Sequence, residues 1–309
     1  MFKDKHIVVG VCGGIAAYKA AGLVSQLRQN GADVHCILTE HAAKLVTPIT
    51  FGELSGNDVT VDMFANINKW DVEHIALARL ADVFVIAPAT ADIIGKVANG
   101  IADDMLSTTI MATKAKVVFV PSMNTNMYEN PIVQANIRKL ESLGYIFVEP
   151  ESGHLACNVT GKGRFPQLNV IMEHIYKALY SKHLLKGKKI VVSAGGTQED
   201  IDPVRYISNR SSGKMGYSIA RAAALEDADV TLVCCTHALP EPVGVHMIYV
   251  HDARELEKAV NAQYDDCDAL VMAAAVSDYR PAVRAENKIK KEQHDHLNIE
   301  LTENPDILY

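Results

Sequence analysis

The chain has 309 residues, 49% of them apolar and 22% charged, and a formal net charge of −7. The length predicts two domains of ordinary size. The acidic balance argues against a general nucleic-acid binder, and no apolar run approaches the roughly 18 residues that a membrane-spanning helix needs. The six cysteines, at 12, 36, 157, 234, 235 and 267, form no Cys-x-x-Cys pair and no His/Cys ligand spacing. Neither zinc nor a disulfide framework is therefore expected, and a reducing cytoplasm fits.

Taken in order, Ile7-Val8-Val9-Gly10-Val11 is too short for a signal peptide. Tyr18-Lys19 follows where a cleavage site would be, so 6–12 reads as a first strand. Gly13-Gly14 opens a helix to about Asn30, and Gly31-Ala32 turns into a strand over 33–38. The turn is not a Gly-x-Gly-x-x-Gly fingerprint. The second strand ends in Thr39 rather than an acid, although Glu40 is adjacent, and this favours a mononucleotide over a dinucleotide. Ile75, Leu77, Ala78 and Leu80 recur at roughly helical spacing, which predicts a short helix over 72–80 carrying His74. Val83–Ala87 reads as a strand buried on both faces, ended by Pro88, with Ala89-Thr90-Ala91-Asp92 as a loop before the next helix. Small residues there let a ligand approach backbone N–H groups, and a helix N-terminus favours an anion. Further strands fit 116–120 and 145–148, with helices near 92–98, 103–113, 126–142 and 167–180. Residues 150–166, broken by Gly and Pro, read as an ordered flap rather than an element.

After the short polar connection 180–187 the chain begins again. Lys188–Gly196 echoes the stretch from Lys5, Ala228–Ala238 echoes that from Ala32, and Asp268–Asp278 echoes Asp82–Asp92. Three matching strand–loop starts in one order predict an α/β protein of two Rossmann-like parallel-sheet domains.

Candidate functional residues follow from these positions. Asn124, in Pro121-Ser-Met-Asn-Thr-Asn-Met127, falls at a sheet edge, where an amide can bond a carboxylate or simply cap a turn. Ser107 and Thr109 are either phosphate donors or polar residues within a helix. Cys157 lies in the flap, where a thiol can protonate a bound substrate. His74 suits general-base work near neutral pH. In the second half, Ser211, Ser212 and a helix N-terminus make an anion seat beside Arg210 and Lys214, without Walker A spacing. Lys288-Ile-Lys-Lys291 is either a triphosphate grip or a solvated face, and Asp278 ends a predicted strand.

At these residues the chain resembles the bacterial bifunctional phosphopantothenoylcysteine decarboxylase / phosphopantothenate–cysteine ligases of coenzyme A synthesis. The first half carries Pro-Ala-Thr-Ala-Asp at 88–92, Pro-x-Met-Asn-x-x-Met at 121–127 and Leu-Ala-Cys at 155–157. The second carries Ser-Ala-Gly-Gly-Thr at 193–197, Ile-Asp-Pro-Val-Arg at 201–205 and Ile-Ser-Asn-Arg-Ser-Ser-Gly-Lys-Met-Gly at 207–216. Ala-Ala-Ala-Val-Ser-Asp-Tyr at 273–279, Lys-Ile-Lys-Lys at 288–291 and Asn-Pro-Asp-Ile at 304–307 complete it. Asp92 is the form of the bacterial bifunctional branch, and Tyr128 stands where Trp is common.

The resemblance implies a flavodoxin-like FMN-dependent decarboxylase over 1–179, a linker at 180–187 and a CTP-dependent ligase over 188–309. FMN would be held by Gly14, Thr39, Pro88, Ala89, Thr90, Ser107, Thr109 and Met123. Its chemistry would turn the cysteinyl thiol of phosphopantothenoylcysteine into a thioaldehyde, an electron sink as CO₂ leaves. His74 would be the base, Asn124 would hold the carboxylate and Cys157 would protonate the enethiol, giving 4′-phosphopantetheine. In the ligase, 4′-phosphopantothenate would react with CTP to an acyl-cytidylate, handled at Asn209, and cysteine would displace CMP. The nucleotide would lie on Ala273, Ala274, Ala275, Asp278, Lys288, Asn304, Pro305, Asp306 and Ile307, with Mg²⁺ on the phosphates and no metal-ligand set assigned. Homo-oligomers are implied, with trimeric decarboxylase and dimeric ligase contacts.

Two other readings stand beside this one. A nicotinamide oxidoreductase is opposed by the missing glycine fingerprint, and a non-catalytic regulatory flavoprotein by the presence of His74, Asn124 and Cys157 together. Asn304-Pro305-Asp306 has the form of a helix start with only three residues after it, which predicts an incomplete ligase half of low CTP-dependent activity.

Overall fold

A computed structural model describes residues 1–64, 72–154, 160–291 and 296–308. They form two compact units, Met1–Tyr180 and Ser181–Tyr309. The first runs β1 (His6–Val11), α1 (Ala17–Gln29), β2 (Asp33–Leu38), α2 (Glu40–Ala43), α3 (Pro48–Ser55), β3 (Val59–Thr60), α4 (Glu73–Leu80) and β4 (Val83–Ala89). It continues through α5 (Ala91–Ala98), α6 (Met105–Ala112), β5 (Lys116–Pro121), α7 (Thr125–Tyr128), α8 (Pro131–Ser142), β6 (Ile146–Phe147), β7 (Glu151–His154), β8 (Thr160–Arg164) and α9 (Leu168–Tyr180).

Six strands form one parallel sheet in the order β3-β2-β1-β4-β5-β6. Without the two-residue edge strand β3 this is the flavodoxin-like order. Alternate residues of each strand face opposite layers. Ile7, Val9 and Val11 of β1, with Val83, Val85 and Ala87 of β4, join α1 and α9 in one core. Val8, Phe84, Ile86 and Phe119 join α5, α6 and α8 in the other. Phe119 stacks on Phe147 with ring centroids 5.0 Å apart. Fully buried side chains such as Ile86, Phe84 and Phe119 each contribute about 1.5–3 kcal/mol relative to exposure.

Three expectations need correction. β4 does not stop at Pro88. It continues to Ala89 through a register shift against β5 between Ile86 and Ala89, an irregularity that accommodates a residue with no N–H to donate. The helix expected over 126–142 is two, α7 and α8, because Asn130 caps a new start and Pro131 occupies its first turn. The flap has an element after all, since β7 and β8 pair as an antiparallel hairpin.

The second unit contains β9 (Lys189–Ala194), β10 (Gln198–Asp200), β11 (Tyr206–Ser208), α10 (Lys214–Leu225), β12 (Asp229–Cys234) and β13 (Val245–Tyr249). α11 (Ala253–Tyr264), β14 (Ala269–Met272), β15 (Tyr279–Pro281) and β16 (Leu301–Glu303) follow. Its parallel sheet runs β13-β12-β9-β14, with α10 packed on one face and α11 on the other. Residues from 181 belong with this unit, as the N–H groups of Lys182 and Leu184 both donate to Glu226. Cys267 lies in the connection between α11 and β14. The ending Asn304-Pro305-Asp306 starts no helix among the described residues. Asn304 Oδ1 accepts from Arg280, and Asp306 accepts the Leu308 N–H two residues on. No helix among the described residues is long and apolar enough to cross a membrane.

A buried carboxylate ties the 201–205 turn together. Asp202 Oδ1 accepts the N–H groups of Val204 and Arg205, both at 2.8 Å. Its Oδ2 accepts Arg205 Nη2 at 2.6 Å and the Ile289 N–H at 3.1 Å. Burial pushes this carboxyl up, but the guanidinium and the three N–H groups outweigh it and hold the group far below the carboxylate range. With the folded value depressed, its stabilisation is present above the unfolded value of about 3.9 and is lost as pH falls through the folded one. Asp202→Asn is therefore expected to lower the second unit's melting temperature at neutral pH. That deficit should shrink in melts taken progressively below about pH 4.

Candidate functional sites

The two sheets share one geometric feature. In the first, crossovers leave β1 toward β2 on one side while β4 lies on the other, so a crevice opens beyond the carboxyl ends of β1 and β4. The loops lining it meet at Gly14. A Cβ there would lie 3.7 Å from Ser122 O, 3.7 Å from Thr90 Cγ2 and 3.8 Å from Pro88 Cγ, so Gly14, Pro88 and Thr90 are brought together as neighbours. Thr39 caps α2 by accepting the Ala42 N–H at 3.1 Å, which leaves its hydroxyl proton free to donate. Thr90 caps α5. Burial pushes the Cys12 thiol up to about 12, opposed by hydrogen bonds from Thr90 and reinforced by Asp104 and Asp92. Burial pushes Cys36 and Cys235 up to about 12 as well.

His74 sits in the first turn of α4. The neighbouring Glu73 accepts a hydrogen bond from Thr60 at 2.7 Å, and Thr113 Oγ1 donates to Ala78 O at 2.9 Å, so both ends of the short helix are held. His74 Nδ1 is buried and has no hydrogen-bond partner among the described residues. An unpaired buried polar atom costs about 1–3 kcal/mol, so native proteins reserve such atoms for ligands, water or chemistry.

Of the two readings for Ser107 and Thr109, the hydrogen bonds fit polar residues within a helix. The Ser107 hydroxyl accepts the Asp104 N–H and donates to the Asp104 carboxylate, closing the capping box of α6. Thr109 Oγ1 donates back to Met105 O at 2.6 Å. Both hydroxyls serve their own helix. Thr108 between them, like Thr125, has a buried hydroxyl that lacks a partner among the described residues. Sequence reasoning missed it because Ser-Thr-Thr does not reveal which member turns its hydroxyl away from the helix.

The hairpin lies across the Asn124 loop. Asn124 caps α7, accepting the Asn126 N–H at 2.9 Å, and the Met123 N–H donates to Gly163 O at 3.0 Å. Gly163 has φ +141°, and a Cβ on it would lie 2.2 Å from Met123 O. Cys157 belongs to the segment between β7 and β8 and lies outside the described residues.

In the second unit the corresponding crevice opens between β9 and β14. The Ser193 hydroxyl oxygen accepts the N–H groups of Ala273 and Ala274 at 3.0 and 3.1 Å. Thr197 Oγ1 accepts the Ser277 N–H, and Asn209 Nδ2 donates to Ala275 O and Val276 O at 3.2 and 3.1 Å. Beside this stitched loop is a cleft of about 470 Å³ lined by Ala274, Asp278, Asn304, Pro305, Asp306 and Ile307, among others. The volume is in the range of small-ligand sites. Asn304 is fixed by donating to Ser277 O at 2.7 Å. Asp278 falls in the loop after β14, six residues past its end, and Ala273 and Ala275 act through backbone groups that close the loop. Lys288 is exposed and does not line the cleft, although Ile289 beside it is tied to Asp202 and Arg205. The N-terminus of α10 has no side-chain cap, which leaves its N–H groups open to an anion.

These two sites belong to a flavoprotein fold joined to a pantothenate-metabolism domain. The family model described as "Flavoprotein" matches residues 1–180, and that described as "DNA/pantothenate metabolism flavoprotein C-terminal domain" matches 185–309. The "Coenzyme A biosynthesis bifunctional protein CoaBC" of Bacillus subtilis is 43% identical over all of this chain and 76% of its own length. That of Borreliella burgdorferi is 40% identical over all of this chain and 79% of its own. Among solved structures, a PPC decarboxylase mutant complexed with pantothenoylaminoethenethiol is 27% identical with a TM-score of 0.52, covering 56% of this chain and 97% of its own. The FMN-dependent cysteine decarboxylase SpaF is 30% identical with a TM-score of 0.51, covering 58% of this chain and all of its own. The chain belongs to the family of bifunctional coenzyme A biosynthesis proteins.

The hairpin's seat on the Asn124 loop is directly testable. Gly163→Ala is expected to destabilise the first unit by about 1–3 kcal/mol in urea denaturation, since the strand or the loop must shift. A midpoint equal to the parent's would mean that the loop yields freely.

Proposed function

We propose that the two activities of this coenzyme A biosynthesis enzyme are divided between its units, with decarboxylation in 1–179 and ligation in 188–309. The enzyme is a flavin-dependent decarboxylase and a ligase, and FMN is the cofactor of its flavoprotein half. The observation that carries the residue assignment is the buried Nδ1 of His74, without a hydrogen-bond partner among the described residues, on a helix held at both ends.

The crevice fits a flavin mononucleotide, because Gly14 leaves room where Pro88, Thr90 and Ser122 converge and Thr39 offers a hydroxyl donor. Thr108 takes the hydroxyl role that Ser107 and Thr109 are unable to fill while they serve their own helix. When bound, FMN accepts the electrons removed from the substrate's cysteinyl thiol and later returns them. His74 takes a proton from the substrate. Asn124 orients the substrate carboxylate, and Cys157 supplies the proton to the product enethiol. The substrate of this half is phosphopantothenoylcysteine and the product 4′-phosphopantetheine.

In the ligase half, the cleft beside Asp278 and Asn304 holds CTP, with Mg²⁺ on its phosphates and the open N-terminus of α10 as an anion seat. Asn209 braces the Ala275–Val276 backbone against which 4′-phosphopantothenate is activated before cysteine displaces CMP. Exposed apolar residues of the first unit, including Ile15, Tyr18, Ile49 and Phe64, support assembly of several copies. The enzyme works in the cytoplasm.

His74→Asn is expected to retain FMN while CO₂ release from phosphopantothenoylcysteine falls about 10²–10⁴-fold, measured on protein whose yellow colour is unchanged. Decarboxylation at the parental rate would remove His74 from the chemistry. In the other half, Asn209→Ala is expected to cut CMP release from CTP, 4′-phosphopantothenate and cysteine about 10²-fold, as a misplaced loop does. Decarboxylation should persist in that variant, and ligation at the parental rate would refute the brace.

A further inference from the structure

At the amino-terminal edge of the first sheet, opposite the flavin crevice, three ligand-bearing side chains converge. β1 and β2 pair in parallel with His6 opposite Asp33 and Val8 opposite His35. Asp33 and His35 are two residues apart and share a face, and His6 points to that same face from across the pair. His6 Nδ1 lies 3.0 Å from Asp33 Oδ2, and His35 Nε2 lies 3.2 Å from the same oxygen. One such atom from each residue falls within 4.8 Å of the others. Two atoms bound to a metal at about 2.0–2.1 Å, at tetrahedral or octahedral angles, are about 2.9–3.4 Å apart. Both nitrogen–oxygen separations already have that value.

The carboxylate is held in place by a further residue. Asn57 Nδ2 donates to the other oxygen, Asp33 Oδ1, at 2.8 Å and to Val34 O at 2.9 Å, which fixes the carboxylate plane and leaves Oδ2 for the two rings. His6 and Asp33 border an open cavity of about 490 Å³ to which Asp4 and Arg28 also contribute, with room for water ligands. Arg28 donates to the carbonyls of Glu53 and Leu54 rather than to Asp33.

We propose that His6, Asp33 and His35 bind one borderline divalent transition-metal ion, of the class of Zn²⁺, Co²⁺ or Ni²⁺, that clips β1 to β2 at the edge remote from the flavin. Two imidazoles and a single carboxylate select such ions over Mg²⁺ and Ca²⁺, which prefer all-oxygen shells. The open positions take water. The clip binds the folded register only, so it stabilises the first unit by mass action.

The test uses the full chain, stripped with a chelator and titrated with Co²⁺ and Zn²⁺ by calorimetry, with thermal melting in parallel. One equivalent is expected to be lost in His6→Ala and in His35→Ala, and Asn57→Ala is expected to bind about 10–100-fold more weakly. Zn²⁺ at saturating concentration should raise the first unit's melting temperature in the parent and not in the histidine variants. Should His35→Ala fail to fold, His35→Gln keeps a hydrogen-bonding group beside Asp33 but is a poor ligand, and its loss of the same equivalent supports the site. Equal binding by the parent and a His6→Ala/His35→Ala double variant, displacement by equimolar Mg²⁺, or no binding by the parent would overturn the proposal.

Discussion

Parallel pairing of β1 with a neighbour on each side is the constraint from which the first unit's geometry follows. A strand bonded to β2 and to β4 lies where crossovers depart in opposite directions, and the loops at its carboxyl end have to splay apart. Gly14, Pro88, Thr90 and Ser122 meet there because the topology leaves them one place to go. The second unit repeats the arrangement with β9 between β12 and β14, and its cleft opens at the equivalent position. In each unit the strands are unremarkable apolar runs, and the chemistry lies in the few residues after them.

Most of that architecture was legible in the sequence, because strands buried on both faces read as continuous apolar runs and their echo at 188, 228 and 268 announced a second sheet. The misses have physical causes. Pro88 reads as a stop, yet a register shift lets the strand pass through it. Pro131 lies inside a helical period but starts a new helix, since a missing N–H costs nothing in a first turn. Asn304-Pro305-Asp306 has the composition of a helix start, and the carbonyl of Ser277 and the guanidinium of Arg280 take the asparagine amide instead. Thr108 was overlooked because burial of a particular hydroxyl depends on which neighbouring helix lies against it. Ligand spacing along the chain gives no reason to expect zinc, but it reads only local pairs. His6 and Asp33 are made neighbours by strand register, which no local pattern records.

The proposed role of His74 rests on a ring nitrogen with no hydrogen-bond partner among the described residues, and the supporting loops on side chains whose bonds are formed. Ser193, Thr197 and Asn209 each use a side-chain polar group to satisfy backbone at 273–277 that forms no regular ladder. Irregular backbone next to a binding cleft stays in one conformation only when its polar groups have such partners. In the first unit, Lys96 plays the same part for the approach to α6, reaching Asp103 and Asp104 at 3.0 Å each and Asp92 at 3.5 Å. Hydrogen bonds and ion pairs are thus concentrated in the loops that border each crevice.

The raised thiols have a consequence for the flavin chemistry proposed above. At neutral pH a thiol with a pKa of about 12 is ionised in roughly one molecule in 10⁵, and the thiolate is the form that oxidants and electrophiles attack. Cys12 ends against Thr90, whose loop lines the crevice in which FMN is proposed to sit, so the protein's own sulfur would lie close to that chemistry. Burial keeps Cys12, Cys36 and Cys235 in the thiol form and so disfavours the thiolate that peroxide attacks.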